Sequence, residues 1–287
     1  MKFLTAAAAI LFAGAAAFAA DSPDVKMFTF SNDVEVYAIR DKATTMKGTL
    51  FTDYTKTSSL KAENLKKEYP SSVNCFLMRY NFKTFLIDAG NFDEKGSLVT
   101  KLATINVKPT SVNYILLTHL HPDHIGGLVD KKGAAVFPNA KVYVTYEEWK
   151  YWSPKIKDMK QTDILRQFSD AYNGRIQTLN FGEPVVPGLY AVKAVGHTPG
   201  HCYYRQGRLR FVGDVVHAAD LQIPNPEYCA SFDNDKKQAY QTRVSFLETM
   251  SKEGNVVFGA HIPFPGVGYI VKEDGTYKFD PYERPKK

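Results

Sequence analysis

The chain has 287 residues, 44% of them hydrophobic, with seven histidines, three cysteines and a formal net charge of +6. That length and apolar content suffice for one large α/β domain with a substantial core. The charge is only mildly basic, with no long Lys/Arg run and no basic-aromatic stripe, so a nucleic-acid partner is not implied. Three cysteines (Cys75, Cys202 and Cys229) permit at most one internal bridge and argue against a disulfide framework.

At the N-terminus, Met1-Lys2 is followed by an alanine-dominated apolar run from Phe3 to Phe18 and by Ala17-Phe18-Ala19. A basic start, an apolar core and an Ala-x-Ala exit describe a cleavable secretory signal peptide over 1–19. The run is short and nothing stop-transfer-like follows, so no stable membrane anchor is expected after cleavage. The expected location is the periplasm of a Gram-negative bacterium, or outside the cell. A single domain is expected over 24–284. Strands are expected over Phe28–Arg40 and Val73–Ala89, where residues alternate or run apolar, with helix formers at Thr57–Lys67 between them. A helix at Leu98–Leu102 and strands at Asn113–Thr118 and Lys141–Thr145 follow, then a helix-prone stretch from Tyr146 to about Tyr172. The later strands are Ile176–Leu179, Leu189–Ala194, Leu209–Val212 and Val256–Phe258, with a helix at Lys236–Met250 before the last. Strands followed by helices twice over predict two similar halves packed sheet on sheet, with helices outside.

The chemistry concentrates in Thr118-His119-Leu120-His121-Pro122-Asp123-His124-Ile125-Gly126-Gly127. Imidazoles and a carboxylate are the ligand types that suit zinc and its borderline neighbours. Strand alternation would point His119 and His121 to the same side. Pro122 stops the strand, and Asp123 sits where a helix would want an N-cap. A lone histidine is more often a hydrogen-bonded core residue than a ligand. Three histidines and an aspartate in six positions would leave several polar groups unsatisfied if buried without a cation. Three more candidates share the local design of a ligand just past a short apolar strand: His197 after Tyr190-Ala191-Val192, Asp214 after Phe211-Val212-Gly213, and His261 after Val257-Phe258-Gly259-Ala260.

These runs, with Gly196-His197-Thr198-Pro199-Gly200-His201, resemble the metallo-β-lactamase superfamily of hydrolases over Val73 to the C-terminus. The segments at 211–219 and 259–266 resemble the branch containing methyl parathion hydrolase and secreted lactonases. The resemblance implies a four-layer αββα sandwich and a site for two divalent metal ions. Those ions would be zinc, with iron, manganese or cobalt as alternatives that the ligand set cannot separate. By resemblance, His119, His121 and His197 hold one ion, Asp123, His124 and His261 the other, and Asp214 bridges them. Two such ions share a hydroxide that attacks a carbonyl carbon or phosphorus. Asp123 is then the residue expected to orient the nucleophile or shuttle its proton. Thr118, Asp88 and His201 are candidates for orienting the ligands, with ordinary turn residues as the alternative. His217, three residues past Asp214, is a substrate-contact candidate at the site mouth, a loop-capping histidine being the equal alternative.

The implied activity is a secreted dinuclear hydrolase that opens lactones or cleaves related esters, with phosphotriesters as a side activity. A periplasmic β-lactamase is disfavoured by the bridging Asp214. A mononuclear-iron persulfide dioxygenase is disfavoured by an exported, glutathione-poor setting. The expected partner is a small apolar or aromatic ester or lactone, if Trp149, Trp152, Tyr228 and Phe232 line the pocket; a homodimer is left open.

Overall fold

The computed structural model describes residues 22–31, 33–55, 66–93 and 97–283. The predicted signal peptide and nearly all of the predicted helix at 57–67 lie outside them. Two seven-stranded mixed sheets form the centre. The first runs in the order β1 (Val25–Ser31), β2 (Val34–Lys47), β4 (Glu68–Tyr80), β5 (Lys83–Ile87), β6 (Tyr114–Leu116), β7 (Lys141–Thr145), β8 (Ile176–Leu179). The second runs from β16 (Thr276–Pro281) through β15 (Val267–Glu273), β14 (Val256–Phe258), β12 (Leu209–Phe211), β11 (Cys202–Gln206) and β10 (Leu189–Lys193) to β9 (Pro184–Val186). A two-stranded ribbon pairs β3 (Phe51–Asp53) with β13 (Tyr228–Ala230).

The inner faces bury Phe76, Phe85 and Leu116 from one sheet against Tyr204, Phe211 and Phe258 from the other. Such apolar-on-apolar burial is what drives sheet on sheet. Outside the first sheet, α1 (Ser97–Thr104) contributes Leu98 and Leu102 to a core with Leu77, Leu86 and Ile115. Outside the second, the helix Lys236–Glu253 contributes Phe246, Leu247 and Met250 against Val212 and Val257. The result is the expected four-layer sandwich. No helix among the described residues is long and apolar enough to cross a membrane.

The parallel strands carry the functional loops. β5, β6, β7 and β8 run parallel, as do β12 and β14, and the loops that follow β6, β12 and β14 hold His119, Asp214 and His261. Each of the two long predicted strands is a pair. Phe28–Arg40 is the β1–β2 hairpin, and Val73–Ala89 is β4 and β5, joined through Asn81-Phe82 at positive φ. The helix-prone stretch from Tyr146 holds two helices, α3 (Tyr146–Ile156) and α4 (Ile164–Ala171), separated by a mostly polar link at 157–163 in which Asp163 accepts the Lys160 amide. Strands β3, β9, β11, β13, β15 and β16 were not anticipated. The last two form a hairpin whose outer residues are partly exposed and polar.

Candidate metal centre

Strand β6 ends at Leu116, so His119 and His121 lie in a loop beyond it and their convergence is not strand alternation. Pro122 opens the single-turn helix α2 (Pro122–Ile125), where its missing N–H is no loss. The N-cap is His121, and Asp123 falls inside the first turn instead of capping it. The tight turn brings the rings together: His119 Nε2 lies 3.0 Å from His121 Nδ1, which lies 2.9 Å from His197 Nε2. On the other side, Asp123 Oδ2 stands 3.4 Å from His261 Nε2 and 3.7 Å from His124 Nε2.

Asp214 occupies the space between the two sets. Its Oδ1 is 3.0 Å from His124 Nε2, and its Oδ2 is 3.2 Å from His197, 3.3 Å from His261 and 3.8 Å from His119, all at Nε2. The structure therefore brings all seven expected ligands together in two groups, His119, His121 and His197 with Asp214, and Asp123, His124 and His261.

The outward nitrogens determine the tautomers. His124 Nδ1 donates to Asp88 Oδ2, His197 Nδ1 to Asp233 Oδ1, and His261 Nδ1 to the Ser72 carbonyl, each at 2.9 Å. Thr118 Oγ1 donates to Asp88 Oδ2 at 2.9 Å, so its oxygen can accept from His119 Nδ1 at 3.1 Å. Each of these four imidazoles is thus left with an Nε2 lone pair aimed inward, the arrangement that metal-bound histidines show. Asp88 acts on two candidate ligands at once, on His124 directly and on His119 through Thr118. His201 donates from Nδ1 to the Ala194 carbonyl and accepts the Asp214 amide at Nε2, 2.9 Å each, so it holds the backbone of the central carboxylate.

The electrostatics fit a cation. Burial would raise Asp214, but the imidazoles of His124, His261, His119 and His197 hold it well below the usual carboxylate range. Burial lowers His119 far below an ordinary imidazole, with His124 adding to the effect. His124 moves the other way, since Asp214, Asp88 and Asp123 outweigh its burial. His124 Nε2 and Asp214 Oδ1 face each other at 3.0 Å, yet neither has a hydrogen bond of acceptable alignment. Two buried groups so placed lack the partner that a shared ion would supply. Five imidazoles and two carboxylates are a donor set for borderline divalent cations.

His217 is buried at 1% exposure, against Asp214 and not at the site mouth. Its Nε2 lies 3.0 Å from Asp214 Oδ2, and its ring stacks on His261. Phe232, half-exposed, edges onto His217 and His197 at 5.0 and 6.0 Å between centroids. Trp152 edges onto His121 at 5.8 Å. Trp149 and Trp152 both pack on the outer core of the first half, while Tyr228 is buried in the small ribbon. The three cysteines are free and buried.

Asp233, Glu148 and Ser72 are the functional anchors that sequence reasoning missed. Ser72 acts through its carbonyl, and Asp233 is one acid among several in a loop. Glu148 alone left a trace, as the glutamate of a Thr-x-x-Glu helix start.

Residues 69–261 match the metallo-beta-lactamase superfamily. Exodeoxyribonuclease WalJ of Streptococcus pneumoniae is 35% identical over 126 residues, 42% of this chain and 45% of that protein. The chain therefore spans less than half the length of this curated relative. Among solved structures, the hydrolase AbOPH of the beta-lactamase superfamily superposes with a TM-score of 0.77 at 28% identity, covering 92% of this chain and 99% of its own. AidC, a dizinc quorum-quenching lactonase solved with the product N-hexanoyl-L-homoserine, gives a TM-score of 0.76 at 23% identity, covering 91% and 98%. With its family match, its four-layer fold and its convergent ligands, the chain belongs to the metallo-β-lactamase superfamily of metal-dependent hydrolases.

Proposed function

We propose that this chain is an exported dinuclear metal hydrolase that opens lactones or cleaves related esters. The observation that carries the reading is Asp214, whose two oxygens reach the imidazoles of both ligand sets within 3.0–3.8 Å. Under this reading His119, His121 and His197 hold one ion, Asp123, His124 and His261 the other, and Asp214 both. When bound, two divalent ions would supply Lewis acidity and a water acidified enough to attack at neutral pH.

The chain's own residues do the rest. Asp123, with about a third of its side chain exposed, is the carboxylate on the solvent side and can accept a proton from an incoming water at the oxygen that does not face His261 and His124. Burial would raise its pKa, but His124 and His261 hold it below the usual value, so it is ionised and ready to accept. His217 fixes the plane of the Asp214 carboxylate through Nε2. Trp152 edges onto His121 and Phe232 onto His197 as apolar walls, which favours an acyl or aryl ester over a highly charged substrate. The likeness to AidC, a quorum-quenching lactonase, supports the lactone assignment, and the Ala-x-Ala exit at 17–19 supports export.

The test is purified chain given two equivalents of zinc, manganese, cobalt or iron. It is assayed against acyl-homoserine lactones, aryl esters, a phosphotriester, a β-lactam and DNA. Turnover of a lactone or ester that chelation abolishes and metal restores is expected. Turnover of the β-lactam or DNA alone would overturn the reading.

A further inference from the structure

Thr145 and Glu148 have the spacing of a helix capping box, in which the glutamate turns back to the N-cap amide. Half of that motif is present: Thr145 Oγ1 accepts the Glu148 amide at 3.2 Å. The glutamate side chain is diverted. It is fully buried, and the four groups that hydrogen-bond to it are uncharged. Its Oε1 accepts the Leu120 amide at 3.0 Å and Trp152 Nε1 at 2.7 Å. Its Oε2 accepts Thr198 Oγ1 at 2.6 Å and the Gly200 amide at 3.0 Å. A buried carboxylate without a counter-cation is costly, and four donors are what makes this one tolerable.

Those donors come from the two ligand loops. Leu120 is the residue between His119 and His121, and Thr198 follows His197. One carboxylate thus ties a loop of the first half to a loop of the second. The docking is close: a Cβ on Gly200 would lie 2.0 Å from the Glu148 amide nitrogen, and Thr145 Oγ1 donates to the Gly200 carbonyl at 2.6 Å. The same Oε1 holds Trp152, whose ring edges onto His121. We propose that Glu148 is a positioning residue that sets the distance between the His119–His121 pair and His197, and so forms the three-imidazole set. The proposal rests on reading those imidazoles as metal ligands.

Glu148→Gln keeps the side-chain size but turns an amide NH2 toward two donors. Metal-free wild type and variant are titrated with zinc against a competing chelator, with circular dichroism and thermal unfolding in parallel. Wild type is expected to take two equivalents. In the variant, one equivalent should bind 10- to 100-fold more weakly while the other is unchanged. Thr198→Val removes one of the four donors and should weaken the same equivalent by less; it carries the test if E148Q does not fold. Val34→Ala, buried where β2 pairs with Tyr80 at the end of β4 opposite Ser72, is the control that lowers stability away from both loops, and should leave both equivalents intact. Equal weakening of both equivalents, or none, overturns the proposal. A wild-type chain that binds no zinc would overturn the metal reading itself, a distinguishable result.

Discussion

Asp214 is where one side chain acts on the whole centre. It is buried, it faces five imidazoles, and its amide is held by His201. Asp214→Ala should lower kcat/KM on the substrate that the panel identifies by at least about 100-fold, more than loss of an orienting neighbour. Metal analysis should show less than two equivalents, and a variant that retained both would separate Asp214 from metal binding. Asp233 tests a different link. Its Oδ1 accepts a hydrogen bond from His197 Nδ1, and Arg243 Nη2 stands 3.7 Å from its Oδ2. Asp233→Asn should weaken one metal equivalent about 10- to 100-fold with little change in fold, as chelator competition would show. The seven candidate ligands were legible because they follow short apolar strands, and that pattern is local. Asp233 was not, since an acid in a loop carries no sign of which imidazole it will meet.

Elements place these side chains by their ends. β12 stops at Phe211, and the chain turns at Gly213, where φ is +52°, to present Asp214. A Cβ there would lie 2.6 Å from His201 Nε2 and 2.8 Å from Thr118 Cβ. Gly213→Ala therefore meets both a backbone conformation that L-residues disfavour and two occupied neighbours. A loss of about 1–3 kcal/mol in denaturant unfolding is expected, with reduced metal content. Unchanged stability would mean that the turn relaxes without cost. The strands at 141–145, 176–179 and 256–258 were legible to the residue, because β-branched and aromatic runs are bounded by polar residues. The Asn81-Phe82 turn inside the predicted strand 73–89 was not, because a tight reversal at positive φ can sit within an apolar run.

At the scale of the molecule, all seven histidines of the chain lie in one buried cluster, so stability must respond to pH on both sides of neutrality. Burial lowers His201 to about 3 and His121 to about 4. Both are neutral in the folded, metal-free chain, while unfolded imidazoles protonate near 6.5. Their contribution is full above about pH 6.5 and is lost as pH falls, at about 1.4 kcal/mol per pH unit for each. His261 has the opposite sign. Burial opposes its protonation, but Asp214 and Asp123 raise it to about 9. Its contribution is full below about pH 6.5 and is lost as pH rises through 9. The metal-free chain should therefore show its highest Tm near pH 6.5 and lose stability in both directions. Metal loading should flatten the alkaline arm, since a ligating imidazole has already given up that proton. Thermal unfolding from pH 4 to 9 with and without zinc checks this, and an alkaline arm that metal leaves unchanged would contradict it.

The amino-acid sequence alone determined the types of the candidate ligands, their order along the chain and the strands that end at them, because each of these is written in a few adjacent residues. Packing decided the rest. Ser72 meets His261 across 189 residues, and Glu148 meets Gly200 across 52. His217 turns inward onto Asp214, and Trp152 and Phe232 arrive from opposite halves to flank the cluster. Contacts between distant segments depend on how two sheets bury their apolar faces against each other, and no local pattern records that.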